Sequence, residues 1–232
     1  MRQRGFNSYS SIPTVTKNLL IINVLLWVAT LLMQNKIELI NILGLHFPGA
    51  KDFKPYQFFT YMFMHGSLTH LFFNMFAVYI FGRILESVWG ARRFLFYYFV
   101  TGVGAAIIQE LVWLNMVNQV ASANGVNIVH QIANDPSSNF LITIGASGSV
   151  FGILLAFGMY FPDDEMFIFP FPFPIKAKYL VIGYGAIELF AGIANFRGDN
   201  IAHFAHLGGM LFGLILILYW KKKNKNNGRY YY

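Results

Sequence analysis

No cysteine occurs among the 232 residues. That excludes disulfides, thiolate metal sites and a thiol nucleophile. Charge is scarce too, at 12% of residues, where soluble domains carry about a quarter. Acidic residues are the scarcer sign, 10 against 17 basic ones. Such an excess can mark a nucleic-acid partner. With 56% hydrophobic residues, a membrane protein is the simpler account, because its lysines and arginines gather in cytoplasmic loops. No nucleic-acid partner is therefore expected. No internal repeat of about 20–50 residues is present, which argues against a transporter built from repeated halves. No cleavable signal peptide is evident, so the first apolar run is expected to be an uncleaved anchor.

A helix rises about 1.5 Å per residue across a core of about 30 Å, so roughly 20 apolar residues span it. Six spans are expected, at 18–34, 68–85, 94–116, 147–161, 179–196 and 201–220, the fourth of them short. The expected fold is an all-α polytopic membrane bundle at 18–220, with a cytoplasmic tail at 1–17 and a basic cytoplasmic tail at 221–232. Six spans put both tails on one side. That side holds Arg2, Arg4, Lys17, Arg83, Arg92, Arg93, Lys176, Lys178, Lys221, Lys222, Lys223, Lys225 and Arg229, against Lys36, Lys51, Lys54 and Arg197 opposite. The positive-inside rule then puts both tails in the cytoplasm, and the starts of spans four and six on the outer side.

The loops differ in kind. Residues 35–67 carry Phe53, Tyr56, Phe58, Phe59, Tyr61 and Phe63 around Pro55, which suits a segment in the outer interface. Residues 117–140 are polar and expected to be mobile. Pro162, Pro170, Pro172 and Pro174 forbid a regular helix across 162–178. Glu86, Arg92 and Arg93 near Gly90 read as a cytoplasmic turn, and Lys221, Lys222, Lys223 and Lys225 as a solvated stop that meets anionic lipid.

Two polar groups stand out inside apolar sequence. Ser147 sits in Gly145-Ala146-Ser147-Gly148, and His206 in Ala205-His206-Leu207-Gly208-Gly209. Ionisable groups in a bilayer are costly and read first as functional. Span four, counted from Ser147, is about 21 Å long, which sets Ser147 roughly 9 Å below the outer boundary. His206 is roughly 7–8 Å into span six, so the two share a depth. Gly148 and Gly152 are four apart, as are Gly209 and Gly213, a spacing that lets helix backbones nearly touch. Gly145 is assigned with them to helix packing.

Serine needs an adjacent base to attack, and neutral imidazole can serve. Glu110 and Glu188 lie on other spans and Asp199 in a loop, so a Ser147–His206 dyad without a carboxylate is expected. His70 and Asn74, four apart on one helix face, offer donors for an oxyanion. The Ser147 backbone N–H, at a helix start, adds another. Helix geometry sets His65 about 140° around from His70, where it would brace a loop. His203 and His206 could ligate a metal, but two ligands are too few for zinc, so no metal is expected. Glu188 is left to bond a neighbouring helix or face a wet cavity.

With His65-xxxx-His70-xxx-Asn74 added, these motifs resemble the rhomboid intramembrane serine proteases over about residues 54–215. The resemblance implies six helices and cleavage of transmembrane substrates without cofactor. It implies Ser147 as nucleophile and His206 as base, with His70, Asn74 and the Ser147 amide as oxyanion hole. It also implies that Phe151 stacks on the histidine. The Arg of the family's Trp-Arg loop element is absent here. Lys54-Pro55-Tyr56-Gln57 stands in that region, so a different loop anchor is expected. A non-catalytic binder of transmembrane helices is the alternative reading, although such relatives typically lack the Ser or the His.

Overall fold

The computed structural model describes residues 11–123, 139, 141–167, 173–194 and 202–226. In chain order the elements are α1 (Thr14–Met33), α2 (Leu39–Leu43), β1 (Leu45–His46) and α3 (Gln57–Thr60), which runs into a 3₁₀ turn at Tyr61–Phe63. Then come α4 (Leu68–Ala77), joined through a π turn at Val78–Gly82 to α5 (Arg83–Trp89), and α6 (Ala91–Ala123). The rest are β2 (Ile142–Thr143), α7 (Ser147–Tyr160), β3 (Glu165–Met166), β4 (Ile175–Lys176), α8 (Ala177–Ala194) and α9 (His203–Asn226). The expectations on the outermost tails, on most of 117–140, on Pro170, Pro172, Arg197 and Asp199, and on the starts and ends of spans six and five lie outside the described residues.

Five helices are long and apolar enough to cross a membrane: Thr14–Met33, Leu68–Trp89, Ala91–Gln119, Ala177–Ala194 and His203–Asn224. The shorter apolar helix is α7, with 14 residues. Half of the apolar window of α6 is buried, against 17% for α1 and α8. The helix at 91–123 is therefore the axis, with Phe94, Tyr97, Tyr98, Ala105 and Ala106 fully buried on it.

Backbone groups in hydrocarbon must be satisfied within the protein, and here side chains reach across helices to backbone carbonyls. Tyr61 Oη donates to Gly102 O at 2.7 Å, Tyr97 Oη to Gly152 O at 2.8 Å, and Ser149 Oγ to Tyr98 O at 2.8 Å. Each bond ties α6 to a neighbour, so α7 is held on its face.

The segment 35–67 is more ordered than an interfacial strip. β1 pairs antiparallel with β2, Leu45 opposite Thr143 and His46 opposite Ile142. Phe59 and Phe63 pack on Phe99 of α6, with ring centroids 6.3 and 6.4 Å apart. Gln57 is the loop's anchor. Buried, it donates to Ile42 O and Asp52 O and accepts from the His46 and Lys54 amides. A glutamine can do this because its amide both donates and accepts. Across 162–178 the described part is not helical before α8 begins at Ala177. It holds instead a two-residue ladder, Glu165 opposite Lys176 and Met166 opposite Ile175, clasped by Asp163 with Lys178.

Glu86, expected in a cytoplasmic turn with Arg92 and Arg93, lies instead within α5. Gly90, at φ +82°, does make the turn into α6. Glu86 points inward, 4% exposed, and caps α1 from 70 residues away. It accepts from Val15 N at 2.9 Å, Thr16 N at 2.7 Å and Thr16 Oγ1 at 2.8 Å. α1 has no side-chain cap of its own, Pro13 standing at the cap position, so the carboxylate takes the unpaired N–H groups of its first turn. Arg93 lies over the Trp220 ring at 4.0 Å. Glu86→Ala should strip these buried donors and lower stability by about 2 kcal/mol, read as a lower thermal midpoint in micelles.

Candidate active site

Ser67 caps α4, its hydroxyl accepting from the His70 amide at 3.1 Å. This puts His70 in the first turn and Asn74 one turn deeper on the same face. Asn74 is buried, and its Nδ2 donates to His70 O at 3.1 Å. Across from α4, Gly145 N donates to Tyr61 O at 2.9 Å, which fixes the approach to α7. Gly145 has φ +125°, a backbone state that favours glycine. A Cβ there would stand 2.7 Å from His70 Nε2 and 3.6 Å from Ser147 Oγ. Gly145 thus precedes the helix and makes room for the His70 ring, which corrects its expected part in helix packing.

Ser147 is the first residue of α7, so its N–H has no acceptor within that helix. His206 lies in the first turn of α9, 8% exposed. The structure brings the two together: Ser147 Oγ is 2.8 Å from His206 Nε2. The Phe151 ring lies on the His206 ring, centroids 4.3 Å apart and planes within 6°. Stacking of this kind limits the imidazole to rotation in its own plane.

The glycines explain how α7 and α9 come so close. A Cβ on Gly209 would collide with the Gly148 carbonyl. Gly152 and Gly213 do something else. Their missing side chains admit Thr101 and Tyr97 of α6. One pair joins α7 to α9, and the other seats both on the axial helix.

The structure corrects the expectation that no carboxylate reaches His206. Glu188, buried on α8, sets Oε2 3.0 Å from His206 Nδ1 and 2.6 Å from His203 Nδ1. The His203 contact is a hydrogen bond; the His206 contact is at bonding distance but off the angle of a full one. Sequence reasoning left Glu188 to bond a neighbouring helix or face a wet cavity without naming a partner, and the structure gives the first, with His203 on α9. The available signal was the pair His203 and His206, three apart on one face of the next span. The donor atoms of Glu188, His203 and His206 lie within 4.8 Å of one another. Two imidazoles and a carboxylate are a known zinc donor set, so these residues could hold a metal. The two short contacts, however, are hydrogen-bond lengths, shorter than the roughly 3.3 Å edge of a tetrahedron built on zinc bonds.

His65 is 1% exposed and stands edge-on to His70, ring centroids 4.9 Å apart. Burial, reinforced by His70, pushes the His65 pKa down to about 4. A neutral ring there backs His70 without adding charge. Gly209→Ala should lower the thermal midpoint, at a cost of about 1–3 kcal/mol for overpacking. Gly183→Ala is the control, since a Cβ there meets nothing within 4 Å, and it should not lower the midpoint.

Comparison with known proteins agrees with this architecture. The rhomboid domain family model matches residues 52–223. Rhomboid-like protein 11 of Arabidopsis thaliana chloroplasts is 28% identical over 70% of this chain and 51% of its own length. Putative rhomboid protease YdcA of Bacillus subtilis is 23% identical over 93% of both chains. Rhomboid protease AarA of Providencia stuartii is 28% identical over 67% of this chain and 52% of its own. The chain spans about half the length of the plant and Providencia relatives. Its apolar helices and its match to the domain make it an integral multi-pass membrane protein, and the chain belongs to the rhomboid family.

Proposed function

We propose that the protein is an intramembrane serine endopeptidase that cuts peptide bonds in or near the transmembrane segments of other membrane proteins. The observation that carries this reading is the 2.8 Å approach of Ser147 Oγ to His206 Nε2, at the head of a short helix buried in an apolar bundle. In the proposed reaction His206 Nε2 takes the Ser147 proton as Oγ attacks the scissile carbonyl. The carbonyl oxygen becomes an oxyanion, which His70, Asn74 and the Ser147 amide would stabilise. His206 then returns the proton to the leaving amine. A water repeats the sequence on the acyl-enzyme and frees Ser147.

Water must therefore reach Ser147. The distribution of basic residues supports both tails in the cytoplasm and a site opening to the outer side, with the cell (inner) membrane as the setting. Residues 1–17 and 221–232 are the proposed cytoplasmic tails. The reaction needs no cofactor, metal or nucleic acid; its partners are transmembrane substrates and lipid. Substrate helices must unwind at the cut, since a helical peptide bond is shielded by its own turn.

Ser147→Ala and His206→Ala should each reduce cleavage of a reporter transmembrane segment in reconstituted vesicles by at least about 10⁴-fold. A fluorophosphonate should label the native chain at Ser147 and neither variant. A chain that binds transmembrane helices without cutting them would remain unlabelled, and that result would sink the protease reading. Asn74→Ala should cost about 10²–10³ in kcat if its amide meets the oxyanion, measured on the same reporter with the amount of folded protein matched.

A further inference from the structure

We infer that Glu188 is a positioning residue for His206, so that Ser147, His206 and Glu188 work as a relay in which His203 holds the carboxylate. The inference rests on the protease reading above.

The reasoning starts from protons. When Ser147 Oγ donates to His206 Nε2 at 2.8 Å, Nε2 is the acceptor, and a neutral imidazole then carries its single proton on Nδ1. That proton needs a partner in a buried site. The group at hand is Glu188 Oε2, 3.0 Å away. When Ser147 attacks, its proton moves to Nε2 and the ring becomes an imidazolium. Glu188 remains ionised and faces the new positive charge. When Nε2 later gives that proton to the leaving amine, the ring returns to its starting tautomer. Protons and charge balance without Glu188 ever being protonated.

Two further features hold the carboxylate where this requires. His203 Nδ1 is 2.6 Å from the same oxygen. The two histidine rings stand nearly perpendicular, at 86°, so both Nδ1 atoms converge on one carboxylate oxygen, His203 in a hydrogen bond and His206 at bonding distance but off its angle. Phe151 limits His206 to in-plane rotation, so the position of its Nδ1 partner selects the rotation that aims Nε2 at Ser147. Glu188 sits on α8 while His203 and His206 sit on α9. The relay therefore holds only while α8 stays against α9.

A purely structural tie between α8 and α9 is the competing account, and the two predict different kinetics. Native protein, Glu188→Gln, Glu188→Asp and Ser147→Ala are reconstituted, and kcat, KM, the rate of Ser147 phosphonylation and the thermal midpoint are measured for each. Glutamine keeps the shape, removes the charge and can offer N–H to Nδ1, which would put the ring proton on the wrong nitrogen. Glu188→Gln should lower kcat and phosphonylation about 10–100-fold, leave KM within about twofold, and shift the midpoint by no more than about 4 °C. Glu188→Asp, which retains the charge, should recover part of the rate. Native kcat in Glu188→Gln overturns the proposal. So does a loss confined to KM, or one that follows the thermal midpoint and is not recovered by Asp. Loss of native activity in excess EDTA also overturns it, because Glu188, His203 and His206 would then serve an ion. A native chain no more active than Ser147→Ala overturns the protease reading itself, and is distinguishable from all of these.

Discussion

The near contact of the Gly209 Cα with the Gly148 carbonyl is the constraint on which the rest of the structure depends. In hydrocarbon no hydrophobic force drives helices together, so close packing of backbones and interhelical hydrogen bonds must do it. With α7 and α9 this close, the first residue of one helix and the first turn of the other lie at the same level. A side chain at Gly209 would part the two helices and with them Ser147 and His206, while one at Gly148 would run into Ala105 of α6. Gly152 and Gly213 complete the arrangement by admitting Thr101 and Tyr97 of α6.

The axial helix satisfies the polar demands of its neighbours as well as filling space. Tyr97 takes the carbonyl of Gly152, and Ser149 takes that of Tyr98. These bonds cross between α6 and α7 in both directions, which resists sliding of α7 along the axis. Near the other end of the bundle Glu86 caps α1, so a helix that is little buried is still fixed at its start. α8 is tied at its start to the preceding loop, Ala177 N donating to Asp164 O and Lys178 N to Pro162 O. It meets the site through Glu188, which puts a charged group where its position matters most.

Much of this was legible in the chain. The apolar runs located the helices to within several residues, because a bilayer imposes both a length and an apolar composition. Ser147, His206, His70 and Asn74 were legible because a polar group in such sequence needs a reason. The reading of Glu86 failed, and that of Glu188 stopped at an unnamed neighbouring helix, for a common cause. Each carboxylate meets its partners on a different helix, Glu86 across 70 residues and Glu188 across 15 and more. Periodicity describes one helix at a time and says nothing about which face of the next helix it meets. Gln57 was harder still, since its four partners are backbone groups that a folded loop alone brings together.

By itself the sequence determined that this is a helical membrane protein and which residues could carry chemistry. Hydrophobic length and the cost of buried charge are properties of the chain and its solvent, so they can be read without a fold. Only the tertiary structure decided that Ser147 Oγ and His206 Nε2 are 2.8 Å apart and that a carboxylate stands behind the histidine. Those distances depend on how α7, α8 and α9 are rotated and spaced. That rotation is set jointly by the Gly148–Gly209 contact, the stacking of Phe151 and the bonds to α6, none of which exists until the helices have met.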